Sequence, residues 1–232
     1  MEEIKQHGAY PTSTNFNNLE NVAKQNKMPI PHKDPNPYVD AFWKWWPELY
    51  KDLRVFRITG GEPLMTKNTF KVLDYVLENP NPNIKININS NLCVPDEILN
   101  KFIEKVKRIQ GEELIQQFQL YTSNEAHGKK AEYIRTGLKY DEWLENMKYA
   151  RKWIRHPRQL QLDLTVTLPG LFDLENMYEL QKDLKIPLLC KKVFTFAPDT
   201  YMSPLFLPRK LLNKIVNKVK KKYENEKRNV FN

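Results

Sequence analysis

The 232-residue chain is long enough for one domain with a sizeable core or two small ones, and its 41% hydrophobic and 12% aromatic content excludes a disordered polymer. Its formal net charge is +9, but nine Lys or Arg against two Glu between Pro208 and Asn232 put +7 of that in the last segment. The rest is close to neutral, which argues for a solvated C-terminal helix face and against a broad nucleic-acid footprint.

No apolar run approaches the length of a membrane span, and Met1-Glu2-Glu3-Ile4-Lys5 does not read as a signal peptide. Two cysteines cannot build a disulfide framework and fit a reducing compartment, so a cytoplasmic protein without a membrane partner is expected. Cys93, beside Leu92 and Val94, and Cys190, after Pro187-Leu188-Leu189, both read as small buried hydrophobes.

Residues 9–38 are rich in Asn, Pro, Thr and Ser and predict a long irregular connection, interrupted by a short helix around Leu19–Gln25. Asp40 to Asp52 carries Phe42, Trp45, Trp46 and Leu49 at helical spacing, with Pro47 inside as a kink or break. Trp43, Trp45 and Trp46 are too closely spaced to share one helix face. Val55, Phe56 and Ile58 predict a short buried strand, after which Gly60-Gly61-Glu62-Pro63 makes a turn. Phe70, Val72, Leu73, Val76 and Leu77 form a helix stripe that ends at Asn79-Pro80.

Ile84 to Asn89 alternates apolar and polar as a second strand, and Pro95-Asp96-Glu97 opens a helix bearing Leu99, Phe102, Ile103 and Val106. A third strand is expected over Leu114–Tyr121, a helix over Tyr140–Arg155 and a fourth strand over Leu160–Leu168. Leu174–Leu184 reads as helix, Lys192–Phe196 as a short strand and Pro208 onward as a final long helix. Strands alternating with helices imply an α/β fold with a parallel sheet, either a barrel or an open doubly wound sheet.

In such an array the loops after the strands share one face and build the site. That rule gathers Glu62; Asn89, Ser90 and Asn91; Thr122, Ser123 and Asn124; Thr167 with Pro169-Gly170; and Pro198 with Asp199. The set is polar and suits a zwitterionic small ligand carrying a sugar. No phosphate-binding glycine loop, HExxH or GxSxG is present, and the histidines at 7, 32, 127 and 156 are scattered.

The Gly-Gly-Glu-Pro turn after a strand, the Ser123-Asn124-Glu125 loop and the run Glu132-Tyr133-Ile134-Arg135-Thr136-Gly137-Leu138 resemble the radical S-adenosylmethionine (SAM) superfamily, in its twitch-type branch, over about residues 1–205. The resemblance implies a partial (βα)6 TIM-like barrel with parallel strands and its first βα unit missing, followed by a basic helix and tail over 206–232. It implies SAM as cofactor: Gly60, Gly61 and Glu62 at its ammonium, Asn91 at its methionine end, Ser123 at the ribose, Arg135 at the carboxylate and Val166 near the adenine. A 4Fe–4S cluster is expected of the complete family member, but the CxxxCxxC loop that holds it has no counterpart, since no cysteine precedes Cys93. The opening residues resemble the segment after that loop, so a fragment, a split gene or an internal start is expected, with an upstream segment or a partner chain supplying the cluster.

The implied activity is generation of a 5′-deoxyadenosyl radical that abstracts hydrogen from an unknown substrate, peptide or small molecule. This chain alone is expected to be inactive, with no catalytic residue or metal ligand of its own. The alternative is a non-catalytic SAM-pocket or scaffold protein. Each residue also keeps a structural reading: Glu62 as a helix N-terminal carboxylate, Arg135 as a salt-bridge partner, Ser123 and Asn91 as strand-end caps.

Overall fold

The structure, a computed structural model, describes residues 23–26, 28, 30, 34–193 and 199–230. The chain divides into two compact units, one ending at Asp52 and one running from Leu53 onward. Most of the irregular N-terminal connection, residues 19–22 of the expected short helix, Phe196 and Pro198 lie outside the described residues.

The described part of the first unit is dominated by helix α1 (Pro37–Asp52). It starts three residues earlier than the apolar stripe suggests, because Asn36 and Pro37 provide its beginning. The Asn36 Oδ1 accepts from the backbone N–H of Tyr38 at 3.1 Å and of Val39 at 3.4 Å, and proline is well suited to a first helical position. Pro47 lies within the helix without ending it. Trp46 and Tyr50 are buried, with the Phe42 ring 5.3 Å and the Trp43 ring 6.1 Å from Trp46, while Trp45 is exposed.

The second unit is a five-stranded, all-parallel sheet: β1 (Val55–Ile58), β2 (Asn81–Ser90), β3 (Ile115–Ser123), β4 (Leu160–Val166) and β5 (Leu188–Lys192), in the order β1-β2-β3-β4-β5. Between them run α2 (Lys67–Glu78), α3 (Asp96–Gly111), α4 (Lys129–Ile134), α5 (Tyr140–Trp153), the single turn α6 (Leu168–Leu171) and α7 (Leu174–Leu184); α8 (Arg209–Val230) closes the described chain. The strand order follows the chain without reversing, unlike a doubly wound sheet, and right-handed crossovers then put successive helices on one face. Accordingly α2 packs on α3 and α3 on α5.

The core lies between that face and the helices. Ile84, Ile86 and Ile88 of β2, Phe118 and Leu120 of β3, and Leu160, Leu162 and Leu164 of β4 are buried there with Leu73, Val76, Phe102, Ile103 and Val106. The opposite phase of each strand is polar. It reads Lys85, Asn87 and Asn89 along β2, Gln117, Gln119, Tyr121 and Ser123 along β3, and Gln161, Asp163 and Thr165 along β4.

Several expectations are corrected. The strand Val55–Ile58 is an edge strand rather than a buried one: Val55 is 51% exposed, and among the described residues no strand pairs with its outer side. The last strand among the described residues is Leu188–Lys192, where the apolar run after Pro187 pairs with β4 in the register Leu162↔Leu188 to Val166↔Lys192; residues 194–196 of the expected strand lie outside the described residues. Cys93 and Cys190 are exposed rather than buried. Helix α4, which no apolar stripe announces, fills the interval between β3 and α5.

The C-terminal helix rests against α7. Lys218 pairs with Glu175 at 3.0 Å and Lys222 with Glu179 at 2.5 Å, and the Tyr178 and Tyr223 rings meet edge-on at 5.4 Å. Part of the basic excess is therefore neutralised within the fold. No helix among the described residues is long and apolar enough to cross a membrane.

Candidate functional site

The loop after β1 leaves the strand through Gly60, whose φ of +136° is open to glycine and strained for other residues. Glu62 then begins a short 3₁₀ turn, Pro63–Met65. Its Oε1 accepts from the Leu64 backbone N–H at 3.0 Å and from the Ser90 hydroxyl at 2.7 Å, and its Oε2 accepts from the Asn91 backbone N–H at 2.8 Å. One carboxylate thus ties the loop after β1 to the loop after β2. Three of roughly four acceptor positions are occupied, which leaves one lone pair for a ligand. Asn91 closes this loop on itself, its Oδ1 accepting from the Cys93 N–H at 2.7 Å.

From the third strand the chain passes through Ser123 into Asn124 and Glu125. Asn124 is buried, and its Oδ1 accepts from the backbone N–H groups of Glu125 at 2.8 Å and Ala126 at 3.4 Å, which turns the chain sharply toward α4. Glu125, 7% exposed, receives the guanidinium of Arg135 on both oxygens, Nε to Oε2 at 2.5 Å and Nη2 to Oε1 at 2.7 Å. This two-point pair is the strong geometry for Arg and carboxylate. It raises the Arg135 pKa above its ordinary value. The Nη1 of Arg135 has no hydrogen-bond partner among the described residues.

Arg135 and Glu62, 73 positions apart, belong to one electrostatic neighbourhood: each acts on Cys93, and Glu62 acts on Arg135. The Cys93 thiol is pushed up from its ordinary value, chiefly by desolvation and further by Glu62 and Glu142, against the pull of Arg135. Beside it opens a cavity of about 720 Å³ lined by Cys93, Val94, Asp96, Lys139, Glu142 and Asn146. Asn146 holds its rim by donating to the Leu92 carbonyl at 2.8 Å.

The expected residues therefore separate into groups. Gly60 and Gly61 lead the chain to Glu62, whose carboxylate is bonded to the Asn91 N–H, and Arg135 lies within the electrostatic reach of Glu62. Ser123 lies one strand further along, half-buried and opposite Asp163, and its hydroxyl has no hydrogen-bond partner among the described residues. Val166 ends β4 in the phase of Leu162 and Leu164, so its side chain shares their sheet face and not that of Ser123. The side chain of Asp199 and all of Pro198 lie outside the described residues.

Three participants went unannounced. Glu125 follows β3 directly and stands ten residues before Arg135, a spacing that could have suggested their pairing. Asp173, 1% exposed, accepts from the His127 N–H at 2.5 Å, Lys130 Nζ at 2.7 Å and Asn176 Nδ2 at 2.8 Å, joining the loop after β4 to α4. Burial pushes its carboxyl up, but Lys130, the His127 N–H and Asn176 together outweigh that and hold it below its ordinary value. Arg57, a charge between Phe56 and Ile58, belongs to the polar phase of the sheet.

Among the described residues no three His, Cys, Asp or Glu side chains are grouped to hold a metal ion. Compared with known proteins, the chain matches no family model and no curated protein sequence.

Proposed function

We propose that the chain is the SAM-cradling part of a radical SAM barrel, with the polar sheet face as the inside of an incomplete (βα)6 barrel. The observation that carries this reading is that Glu62, in the loop after β1, and Arg135, beyond the loop after β3, both act on Cys93 in the loop after β2. Together they offer a negative and a positive group of the kind an amino-acid end needs, the ammonium at Glu62 and the Gly60-Gly61 turn, the carboxylate at the Nη1 of Arg135. The unpartnered hydroxyl of Ser123 is available to a ribose. The sequential, unreversed strand order, with β1 at the edge of the described sheet, supports a barrel to which one more βα unit is added from outside the described residues.

When SAM is bound beside a reducing cluster, it supplies a 5′-deoxyadenosyl radical for hydrogen abstraction. The residues of this chain would bind and orient it. They do not fit the 4Fe–4S cluster: the sequence holds two cysteines, Cys93 in the loop after β2 and Cys190 in β5, where three closely spaced thiolates are needed. That mismatch favours a second reading, a SAM-pocket protein without radical chemistry, which differs from the first in never acquiring a cluster.

Calorimetric titration of SAM into the full chain tests the shared part of both readings. The expected result is saturable binding that Glu62→Ala weakens about tenfold, or roughly 1.4 kcal/mol. Equal affinity for the two proteins removes Glu62 from the site, and no binding by the unaltered chain ends the proposal. Anaerobic reconstitution with iron and sulfide separates the two readings when repeated with candidate cysteine-bearing partner chains: assembly of a 4Fe–4S chromophore with a partner supports the first reading, and assembly by this chain alone refutes the absence of a cluster site.

A further inference from the structure

The polar face of the sheet is organised in rows that step from its amino to its carboxyl edge. Lys85 lies beside Gln117, then Arg57 beside Asn87 and Gln119, then Asn89 beside Tyr121 and Gln161, then Ser123 beside Asp163. Three cations and one carboxylate stand in this phase. The carboxylate, Asp163, is 1% exposed and already taken: Lys191 donates to its Oδ2 at 2.7 Å and Gln161 to its Oδ1 at 3.0 Å. Arg57 and Lys85 remain, on neighbouring strands, and neither forms an ion pair among the described residues.

Arg57 makes two contacts across the sheet face. Its Nε donates to Asn89 Oδ1 at 2.8 Å, and its guanidinium lies over the Tyr121 ring, 5.1 Å from the centroid. An arginine that only shields a sheet edge extends outward into water. This one, although exposed, reaches across the face with its Nε bonded and its flat side over a ring, and both terminal nitrogens have no hydrogen-bond partner among the described residues. A guanidinium immobilised in that way is a planar fork for an oxyanion.

We propose that Arg57 anchors a carboxylate or phosphate group of the ligand that this sheet face accepts. The inference rests on the reading above to the extent that this ligand is the substrate of that barrel, and it narrows the substrate class to polar molecules bearing an anionic end. Asn87, paired with Arg57 across the strands, supplies a neutral donor and acceptor beside the fork, which suits recognition of a hydrogen-bonding body over an apolar one. The Gln119 and Gln161 amides are committed to the Arg158 carbonyl and to Asp163.

The test is an NMR titration of the full chain at fixed ionic strength, with succinate as the carboxylate probe and inorganic phosphate as the phosphate probe. The expected result is saturable movement of the Arg57 Nε–H and Asn89 carboxamide signals, with the tighter probe naming the source. Arg57→Gln weakens binding about tenfold, and Arg57→Lys, which keeps the charge without the fork, nearly as far. Tyr121→Leu, which removes the supporting ring and leaves the charge, weakens it about threefold, while Arg209→Gln on the exposed start of α8 leaves it unchanged. No saturable binding of either probe, equal affinity for Arg57→Gln, or the same loss in Arg209→Gln overturns the inference. Calorimetry with SAM on the same proteins keeps the two conclusions apart: anion binding that depends on Arg57 in a chain that does not bind SAM leaves the fork standing and removes the barrel reading.

Discussion

Gly170 and Glu125 lie so close that a Cβ on the glycine would meet the Glu125 carbonyl oxygen at 2.6 Å and the Thr167 hydroxyl at 3.0 Å. The loop after β4 is thereby pressed against the loop after β3, at the residue that holds Arg135. Gly170→Ala forces the Glu125 backbone to move, since backbone cannot yield as a side-chain tip can. The expected cost is about 1–3 kcal/mol of stability. It should appear as a lower urea midpoint, accompanied by shifted amide signals at Glu125 and Arg135. Unchanged signals there would show that the two loops are not coupled.

Arg135→Ala leaves the buried Glu125 carboxylate without its counter-charge. The expected loss is about 3 kcal/mol, the lower end of the range for broken buried pairs because part of the arginine reaches solvent. Glu125→Gln with Arg135→Ala should be less damaging than Arg135→Ala alone. A double-mutant cycle on urea unfolding measures this, and simple additivity of the two changes would contradict it.

Glu62 acts as an acceptor three times, so an amide in its place cannot reproduce it. In Glu62→Gln one oxygen becomes an NH2 group that must face either the Asn91 N–H or the Leu64 N–H and Ser90 hydroxyl. Both Glu62→Gln and Glu62→Ala should therefore lose about 1 kcal/mol, the usual worth of an N-terminal cap. Full stability of Glu62→Gln in thermal unfolding would mean that the charge and the second oxygen are dispensable.

Asp173 makes stability pH-dependent in one direction. Its folded pKa lies below the unfolded value, so its contribution is fully present above the ordinary carboxylate range, about 3.9, and is lost as pH falls through the lower folded value. The stability gap between the unaltered chain and Asp173→Asn should be widest above about pH 5 and shrink below about pH 4. Urea denaturation across that interval checks the sign; a gap that widens on acidification would reverse it.

Cys93 is exposed yet has a raised thiol pKa. In a Cys190→Ser background its alkylation by iodoacetamide near neutral pH should be slower than that of an unhindered cysteine, because less thiolate is present. Arg135→Ala should slow it further, since Arg135 opposes the rise. A faster reaction in that variant would place Arg135 away from the thiol.

The repetitive elements were legible because burial imposes a period. Ile84-Lys85-Ile86-Asn87-Ile88-Asn89 announces both a strand and its two unlike faces, and Leu174–Leu184 was readable to the residue from its stripe. Local chemistry decided the differences. Asn36 and Pro37 start α1 before its apolar face begins, and β5 depends on pairing with β4 that no short window contains. Of the site, Glu62 was legible because glycines and a proline surround it. Its hydrogen bonds to Ser90 and Asn91 were not, since they join loops separated by a whole helix. Arg135 was recognisable, but its partner Glu125 required the folded turn around Asn124. Arg57 was hidden by its apolar neighbours, which declare a strand and say nothing of which side the charge takes.

Among the described residues the row of strands does not meet itself, and each border of such a row presents backbone amides and carbonyls as a template for another chain. Arg54 and Arg57 stand at one border, Lys191 and Lys192 at the other. Lys191 is already paired with Asp163 and Arg57 is drawn over the Tyr121 ring, so among the described residues Arg54 and Lys192 are the cations left at the two margins to meet an approaching chain. One unpaired cation at each margin is the kind of feature that discourages a like-charged chain from lengthening a sheet.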